Sequence, residues 1–309
     1  MTEVPLRVRP ARRLLQPVLE RIDRRIDRRV RTADREIEQL RQELRATQDQ
    51  LASHQQQPFA LELLYGKDGR LNDRMPSRQA FKKLADEIAA VAGRPGAWNE
   101  TAQAFRTLVE VESRGVGRIA GSTANILGKL ATTPLLGPPQ GEILEIGTLY
   151  GLFAGGLVRQ LLRRGLDYQL TIVDPLAPVQ LQPGMEITRD PSGTPITEAV
   201  VRANLRYAGV ESQRIRLHRG FSEDPTVREA LSDRLYGVIV IDGDHTRDGV
   251  ARDLEWAEQI AATGAIVVLD DYGDARWPGV REAADAHLAD KTRMKWVGRV
   301  STSAFLRAG

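Results

Sequence analysis

The chain reads as an α/β protein, a mostly parallel sheet with helices on both faces, preceded by helices of its own. Three observations predict this. Apolar runs recur through the second half and stop at acidic residues: Ile143–Glu145, Leu170–Asp174, Val238–Asp242 and Ala265–Asp271. Stretches of helical length separate them, the alternation that places parallel strands side by side under covering helices. The N-terminal part has a different pattern, a narrow apolar stripe on an otherwise charged segment.

That N-terminal stripe runs from about Arg12 to Ser53. Leu15, Leu19, Ile22, Ile26, Val30, Ala33, Ile37, Leu40, Leu44, Thr47 and Leu51 recur at three- and four-residue steps among Arg, Glu, Asp and Gln. This is a heptad pattern, with a stutter at Ile22, Ile26 and Val30 that locally unwinds a supercoil. A lone helix with one narrow apolar stripe needs a partner, so the segment predicts a coiled coil and a homo-oligomer. Docking of the helix onto the rest of the chain is the alternative. The many arginines raise a membrane surface as a third partner, but the apolar stripe carries no Trp or Phe. Acids are interspersed with the basic residues, so a solvated helix face is expected and nucleic acid is not.

His54 to Pro58 reads as a polar break that ends this first segment, residues 1–57. Residues 58–140 read as a helical linker or cap. Tyr65 to Pro76 has the Gly and Pro content of a loop, Ser77 caps a helix to about Ala92, and further helices lie near 97–112 and 117–130. Pro134 to Gly141 forms the boundary to a third segment, 141–309. There, strands are expected near 143–147, 169–174, 214–219, 237–242 and 265–270. Helices are expected near 151–164, 195–208, 225–232, 247–262 and 278–288. Lys295–Val300 and Ser303–Leu306 read as closing strands.

Composition narrows the chemistry. The 309 residues include no cysteine, which excludes disulfides, thiolate metal ligands and a cysteine nucleophile. No apolar run approaches the ~18 residues of a membrane span, and no hydrophobic signal core is seen at the N-terminus. The net charge is only +3. A cytoplasmic location is expected.

The most informative stretch is Glu142-Ile143-Leu144-Glu145-Ile146-Gly147-Thr148-Leu149-Tyr150-Gly151. A buried strand ends in an acid and a glycine turn that opens into a helix. In an open α/β sheet this turn lies at the ligand-binding edge. Leu149 stands where a nicotinamide fingerprint has the glycine that makes room for a pyrophosphate, so a nucleoside without pyrophosphate fits better. Glu145 and the loop Gly147, Thr148, Leu149 and Gly151 are the candidate contacts. Asp174, about 20 residues further along, is placed to accept from ribose hydroxyls, or to serve as a turn residue before Pro175.

Ile241-Asp242-Gly243-Asp244-His245 and Leu269-Asp270-Asp271-Tyr272 end the next two apolar strands. Neighbouring strands lie roughly 4.8 Å apart, so Asp242, Asp270 and Asp271 should converge. Such carboxylates repel, and a hard divalent ion such as Mg²⁺ would relieve this. Capping of the next helices by Asp244 and Asp271, with Asp242 facing the cofactor, is the other reading. His245 could take a proton near neutrality, or could cap a helix. Arg276 and Trp277, with Tyr272, fall on the loop after the fifth core strand, near an expected acceptor mouth.

In this order, the acid-glycine turn, the second acid, the I-D-G-D-H element and the L-D-D-Y element resemble the class I S-adenosylmethionine-dependent methyltransferases. The resemblance is closest to small-molecule O-methyltransferases of the catechol and macrolide-sugar type, and it spans Gly141 to the C-terminus. It implies a Rossmann-like seven-stranded sheet whose last strand is antiparallel, and S-adenosylmethionine as cofactor. It places Phe221 and Ser222 against adenine, although Ser222 is also a candidate helix cap. It supports metal ligation by Asp242, Asp270 and Asp271, a base role for His245, and a hydroxylated small molecule or saccharide as acceptor. A metal-independent methyltransferase is an alternative, as is a coiled-coil interaction protein with a nucleoside-binding core. The long loop 175–195, with Asp190 to Gly193, is expected to cover the site.

Overall fold

The computed structural model describes residues 9–65, 74–177 and 193–309. The chain divides into two compact units, Met1–Leu63 and Leu64–Gly309. The first holds one helix, α1 (Arg9–Tyr65). It runs through His54–Pro58, where the sequence suggests a break. Gln is a good helix former, and a Gln-rich run is polar without being helix-breaking. Val18, Ile22, Ile26, Val30, Ile37, Leu40, Leu44 and Leu51 are all exposed along this helix. Among the described residues no helix is long and apolar enough to cross a membrane.

The second unit opens with α2 (Arg78–Ala92), α3 (Trp98–Arg114) and α4 (Thr123–Leu135). Ser77 caps α2, its hydroxyl accepting from the Ala80 N–H, and Ser122 caps α4 in the same way through Asn125. The glycine-rich approach to α4 stays non-helical, with Gly117 and Gly121 at positive φ, so this helix starts later than expected. Arg74 pins that approach from beneath. Its guanidinium pairs with both Glu112 oxygens at 2.8 Å and donates to the carbonyls of Ile119 and Gly121.

Strands and helices then alternate: β1 (Glu142–Ile146), α5 (Leu152–Leu162), β2 (Gln169–Asp174), α6 (Glu198–Tyr207), β3 (Ile215–Arg219), α7 (Pro225–Leu231), β4 (Tyr236–Ile241), α8 (Arg247–Ile260) and β5 (Ala261–Leu269). The chain closes with α9 (Pro278–Ala289), β6 (Met294–Val300) and β7 (Ser303–Ala308). The sheet order is β3-β2-β1-β4-β5-β7-β6. β7 runs antiparallel to both of its neighbours, and all other pairs are parallel. This is the Rossmann-like seven-stranded sheet, with helices on both faces, that the resemblance implies.

Side chains alternate between the two faces with the two-residue period of a strand. Ile143, Val238, Val240, Ile266 and Val268 pack against α2 to α6. Leu144, Ile239, Ile241, Val267 and Leu269 pack against α7, α8 and α9. The helices ahead of the sheet are therefore part of its cover. That brings α4 across the central strands, next to the edge where the acids emerge.

Candidate active site

A cavity of about 440 Å³ opens at the carboxyl ends of the central strands. Glu145, Gly147, Thr148, Leu149, Asp174, Phe221, Ser222, Asp242, His245, Asp270 and Asp271 all line it. Gly151 does not. It sits at φ 74 as the cap of α5, facing Val201 and Leu205. There it turns the chain into α5.

The β1 end is built by close backbone approach. Gly147 is at φ 84, and a Cβ there would run into the main chain of Asp242 and Gly243. The glycine is required by the neighbouring strand end as much as by any ligand. Leu149 adopts the left-handed region at φ 54. Asp174 holds this loop in place: its Oδ2 accepts from the N–H groups of Thr148 (2.7 Å) and Leu149 (3.3 Å), and its Oδ1 accepts from Leu176 (2.6 Å). Oδ1 keeps a second lone pair, so the turn role and a ligand role are compatible.

Glu145 is the unusual group at this end. It is buried, and its Oε2 has no hydrogen-bond partner. Burial pushes its carboxyl up to about 8. Asp253, on α8 at the far side of the same cavity, shares these features. Its Oδ2 has no partner, and burial raises its carboxyl to about 6. Phe221 and Ser222 follow β3 between them. The residue capping α7 is Asp224, with Pro225 at the first helical position, so Ser222 is not the cap.

The β4–β5 end is arranged differently. The Asp242 N–H donates to the Ile146 carbonyl and the Asp270 N–H to the Ile241 carbonyl, which aligns the two strand ends. Lys129, on α4, places its Nζ 2.5 Å from Asp270 Oδ2 and 3.3 Å from Asp242 Oδ2. Its side chain is 1% exposed, and Nζ lies 4.6 Å from the centroid of the Phe153 ring. Asn125, one helical turn earlier, donates to Asp270 Oδ1 at 2.6 Å, and Ser303 Oγ donates to the same oxygen at 2.9 Å.

The electrostatics follow from this packing. Burial would lower the Lys129 ammonium, but Asp242 and Asp270 outweigh it and hold it above the usual lysine range. Burial would raise Asp270, yet Lys129 and the Asn125 hydrogen bond keep it below the carboxylate range. Asp242 is pushed well up by burial and by the Asp270 charge. Asp271, at φ 55, is raised to about 7 by burial and by Asp270.

The magnesium site expected from Asp242, Asp270 and Asp271 is not shown. Among the described residues no group of three or more His, Cys, Asp or Glu side chains is arranged to hold a metal ion. The physical reason is Lys129. The repulsion between the strand-end acids, which motivates a divalent ion, is already met by an ammonium lying between two of them. These residues do not fit the metal.

His245 is 9% exposed. Its Nε2 lies 3.4 Å from Asp271 Oδ2 and 3.8 Å from Asp242 Oδ1. Neither ring nitrogen has a hydrogen-bond partner. The ring stacks on Trp277 at 5.0 Å between centroids. Burial holds its pKa below the usual histidine value. Thr246, not His245, caps α8, and Asp244 accepts from the Thr246 N–H and hydroxyl. Trp277 and Arg276 line the cavity as expected. Tyr272 does not. It is buried beneath, its hydroxyl donating to Asp285 at 2.7 Å. The expected cover over Asp190 to Gly193 lies outside the described residues except for Gly193.

Sequence reasoning missed three residues here: Lys129, Asn125 and Asp253. Lys129 had a signal, because it is the only charged residue between Arg118 and Glu142.

Residues 144–272 match a family profile described as a methyltransferase domain. Among solved structures, a putative O-methyltransferase from Klebsiella pneumoniae is 22% identical, over 67% of this chain and 89% of its own, with a TM-score of 0.42. An O-methyltransferase from Bacillus cereus in complex with S-adenosylhomocysteine is 16% identical, over 81% and 100%, with a TM-score of 0.41. The O-methyltransferase NovP is 17% identical, over 74% and 98%, with a TM-score of 0.46. No curated protein matches the chain.

Proposed function

We propose that this chain, whose residues 144–272 match a methyltransferase-domain profile, is an S-adenosylmethionine-dependent enzyme that methylates a hydroxyl of a small molecule or glycosyl unit, in the cytoplasm. The observation that carries this reading is a single cavity with an open buried acid at one end and an unpartnered histidine at the other, Glu145 and His245.

The cofactor fits the donors present. Glu145 offers an unsatisfied oxygen for the amino group, beside Gly147, Thr148 and Leu149. Asp174 keeps acceptor capacity for ribose, and Phe221 and Ser222 flank the adenine end. Bound there, S-adenosylmethionine supplies a methyl group made electrophilic by the adjacent sulfonium. The chain's own residues handle the proton. His245 is depressed by burial and hence neutral near pH 7, so it has a lone pair free to accept the acceptor hydroxyl's proton. The Asp270 charge, which pulls the His245 pKa upward, favours the imidazolium that forms. No step is routed through a divalent ion, because the donor set does not fit one.

The test is calorimetric binding of S-adenosylhomocysteine to wild type and to Asp174→Ala, followed by an acceptor screen. Strong binding lost in the variant is expected. Absence of binding to wild type sinks the reading and favours an interaction protein.

The exposed stripe of α1 supports self-association through that helix. A chain shortened to begin at Phe59 should have a smaller assembly mass in solution. An unchanged number of copies per assembly refutes the idea.

A further inference from the structure

The acid cluster at the ends of β4 and β5 has the ingredients of a metal site and one residue too many. We propose that Lys129 is a resident cation occupying the position of a divalent metal, so that the strand-end acids are compensated from within the chain and the site works without a metal ion. This rests on the methyltransferase reading of the cavity.

Three observations support it. The first is contact. The Lys129 ammonium reaches one oxygen each of Asp270 and Asp242, the two acids whose strand ends are locked side by side. Mg²⁺ requires oxygens at about 2.0–2.1 Å in near-octahedral array, and the space between these oxygens is filled by Nζ. The second is that both oxygens of Asp270 are already engaged. Asp270 Oδ1 accepts from Asn125 and Ser303, and Oδ2 accepts from Lys129. The third is confinement. Lys129 sits mid-helix, 1% exposed, with Phe153 over its ammonium. Asn125 and Lys129 are four residues apart, hence on one face of α4, and both address Asp270.

Lys129 does not line the cavity, so it is a positioning residue acting through Asp242 and Asp270. A lysine is a single point charge with three donors. It can orient two carboxylates, but it cannot offer open coordination positions to an acceptor's oxygens. The acceptor hydroxyl is then left to His245, which Asp242 and Asp271 flank.

The test uses the full-length protein, freed of metal by chelation, with S-adenosylhomocysteine present. Mn²⁺ binding is read by the electron paramagnetic resonance signal of the free ion and by the melting temperature. Wild type should leave Mn²⁺ free, with unchanged melting and unchanged S-adenosylhomocysteine affinity. Lys129→Met, or Lys129→Gln where the first is poorly folded, should bind about one Mn²⁺ per chain and melt higher with the ion. Adding Asp270→Asn should abolish that binding. Stoichiometric Mn²⁺ binding by wild type, lost in Asp270→Asn, overturns the proposal. So does a folded Lys129 variant that still ignores Mn²⁺, since the lysine would then not stand in for a metal. Failure of S-adenosylhomocysteine to bind wild type is a separate outcome. It removes the methyltransferase reading, whatever Mn²⁺ does.

Discussion

The two ends of the cavity treat buried acids in opposite ways. At the β1 end, Glu145 is buried with an oxygen unpartnered and its carboxyl raised to about 8. At the β4–β5 end, Asp270 is equally buried but is held below the carboxylate range by Lys129 and Asn125. Burial of a charge is tolerated only when it is paired or when the group gives up its charge. On the proposed reading the first end takes its positive partner from the cofactor, and the second has one built in. The difference separates where a ligand's cation should go from where it should not.

The largest test of this contrast is removal of the built-in partner. Lys129→Met should destabilise the fold by ~3–5 kcal/mol, because it leaves buried carboxylates without their cation. Urea unfolding measures this. A loss below ~1 kcal/mol would mean the pair behaves like an exposed one and would erase the distinction between the two ends.

His245→Ala comes next. Turnover should fall by roughly 10²–10⁴, while S-adenosylhomocysteine affinity stays close to wild type, since the proposed function puts the ring at the acceptor side. Equal loss of both would assign His245 to the cofactor instead.

Glu145→Gln probes the open end and should act in two directions. Cofactor affinity should drop roughly ten- to hundredfold, the worth of a charged hydrogen bond. Apo stability should change with pH. The native carboxyl titrates at about 8 against an ordinary value of 4.5, so the folded apo protein holds a proton that the unfolded chain has released. That contribution is full below pH ~4.5 and lost as pH rises through ~8. The Gln variant lacks it, so its stability should decline less between those limits. Parallel curves would mean that Glu145 is solvated in the free protein.

Much of this contrast was legible in the sequence, and the reason it was incomplete is physical. Apolar runs cut off by acids gave the strands and the edge where the acids emerge. The adjacency of β4 and β5 brought Asp242 and Asp270 together as expected. What compensates them depends on α4, a helix outside the alternating core, and on which of its faces meets β5. No local pattern states that. A lone lysine in an apolar helix was the available clue, and its meaning needed the docked helix. Tyr272 failed for a related reason. The loop after β5 turns it toward Asp285, while Trp277, five residues on, returns to the cavity. Gly147 was legible, but its cause was mixed, since the Asp242 backbone alone already requires a glycine.

The smallest expected effect separates two causes acting on His245, whose pKa is lowered first by burial and then by the nearby Lys129 charge, against the pull of Asp270. Trp277 covers the ring at 5.0 Å, an aromatic stack worth ~0.5–1.5 kcal/mol. Trp277→Ala should admit water and move the His245 titration upward toward the ordinary 6.5, a change read from its ring proton resonances. A folded Lys129→Gln variant should move it in the same direction by removing a positive charge. If only the lysine variant shifts the midpoint, the resident cation governs the base and the covering indole does not. If only the tryptophan variant does, the two halves of the β4–β5 end are electrostatically separate, and Lys129 acts on the carboxylates alone.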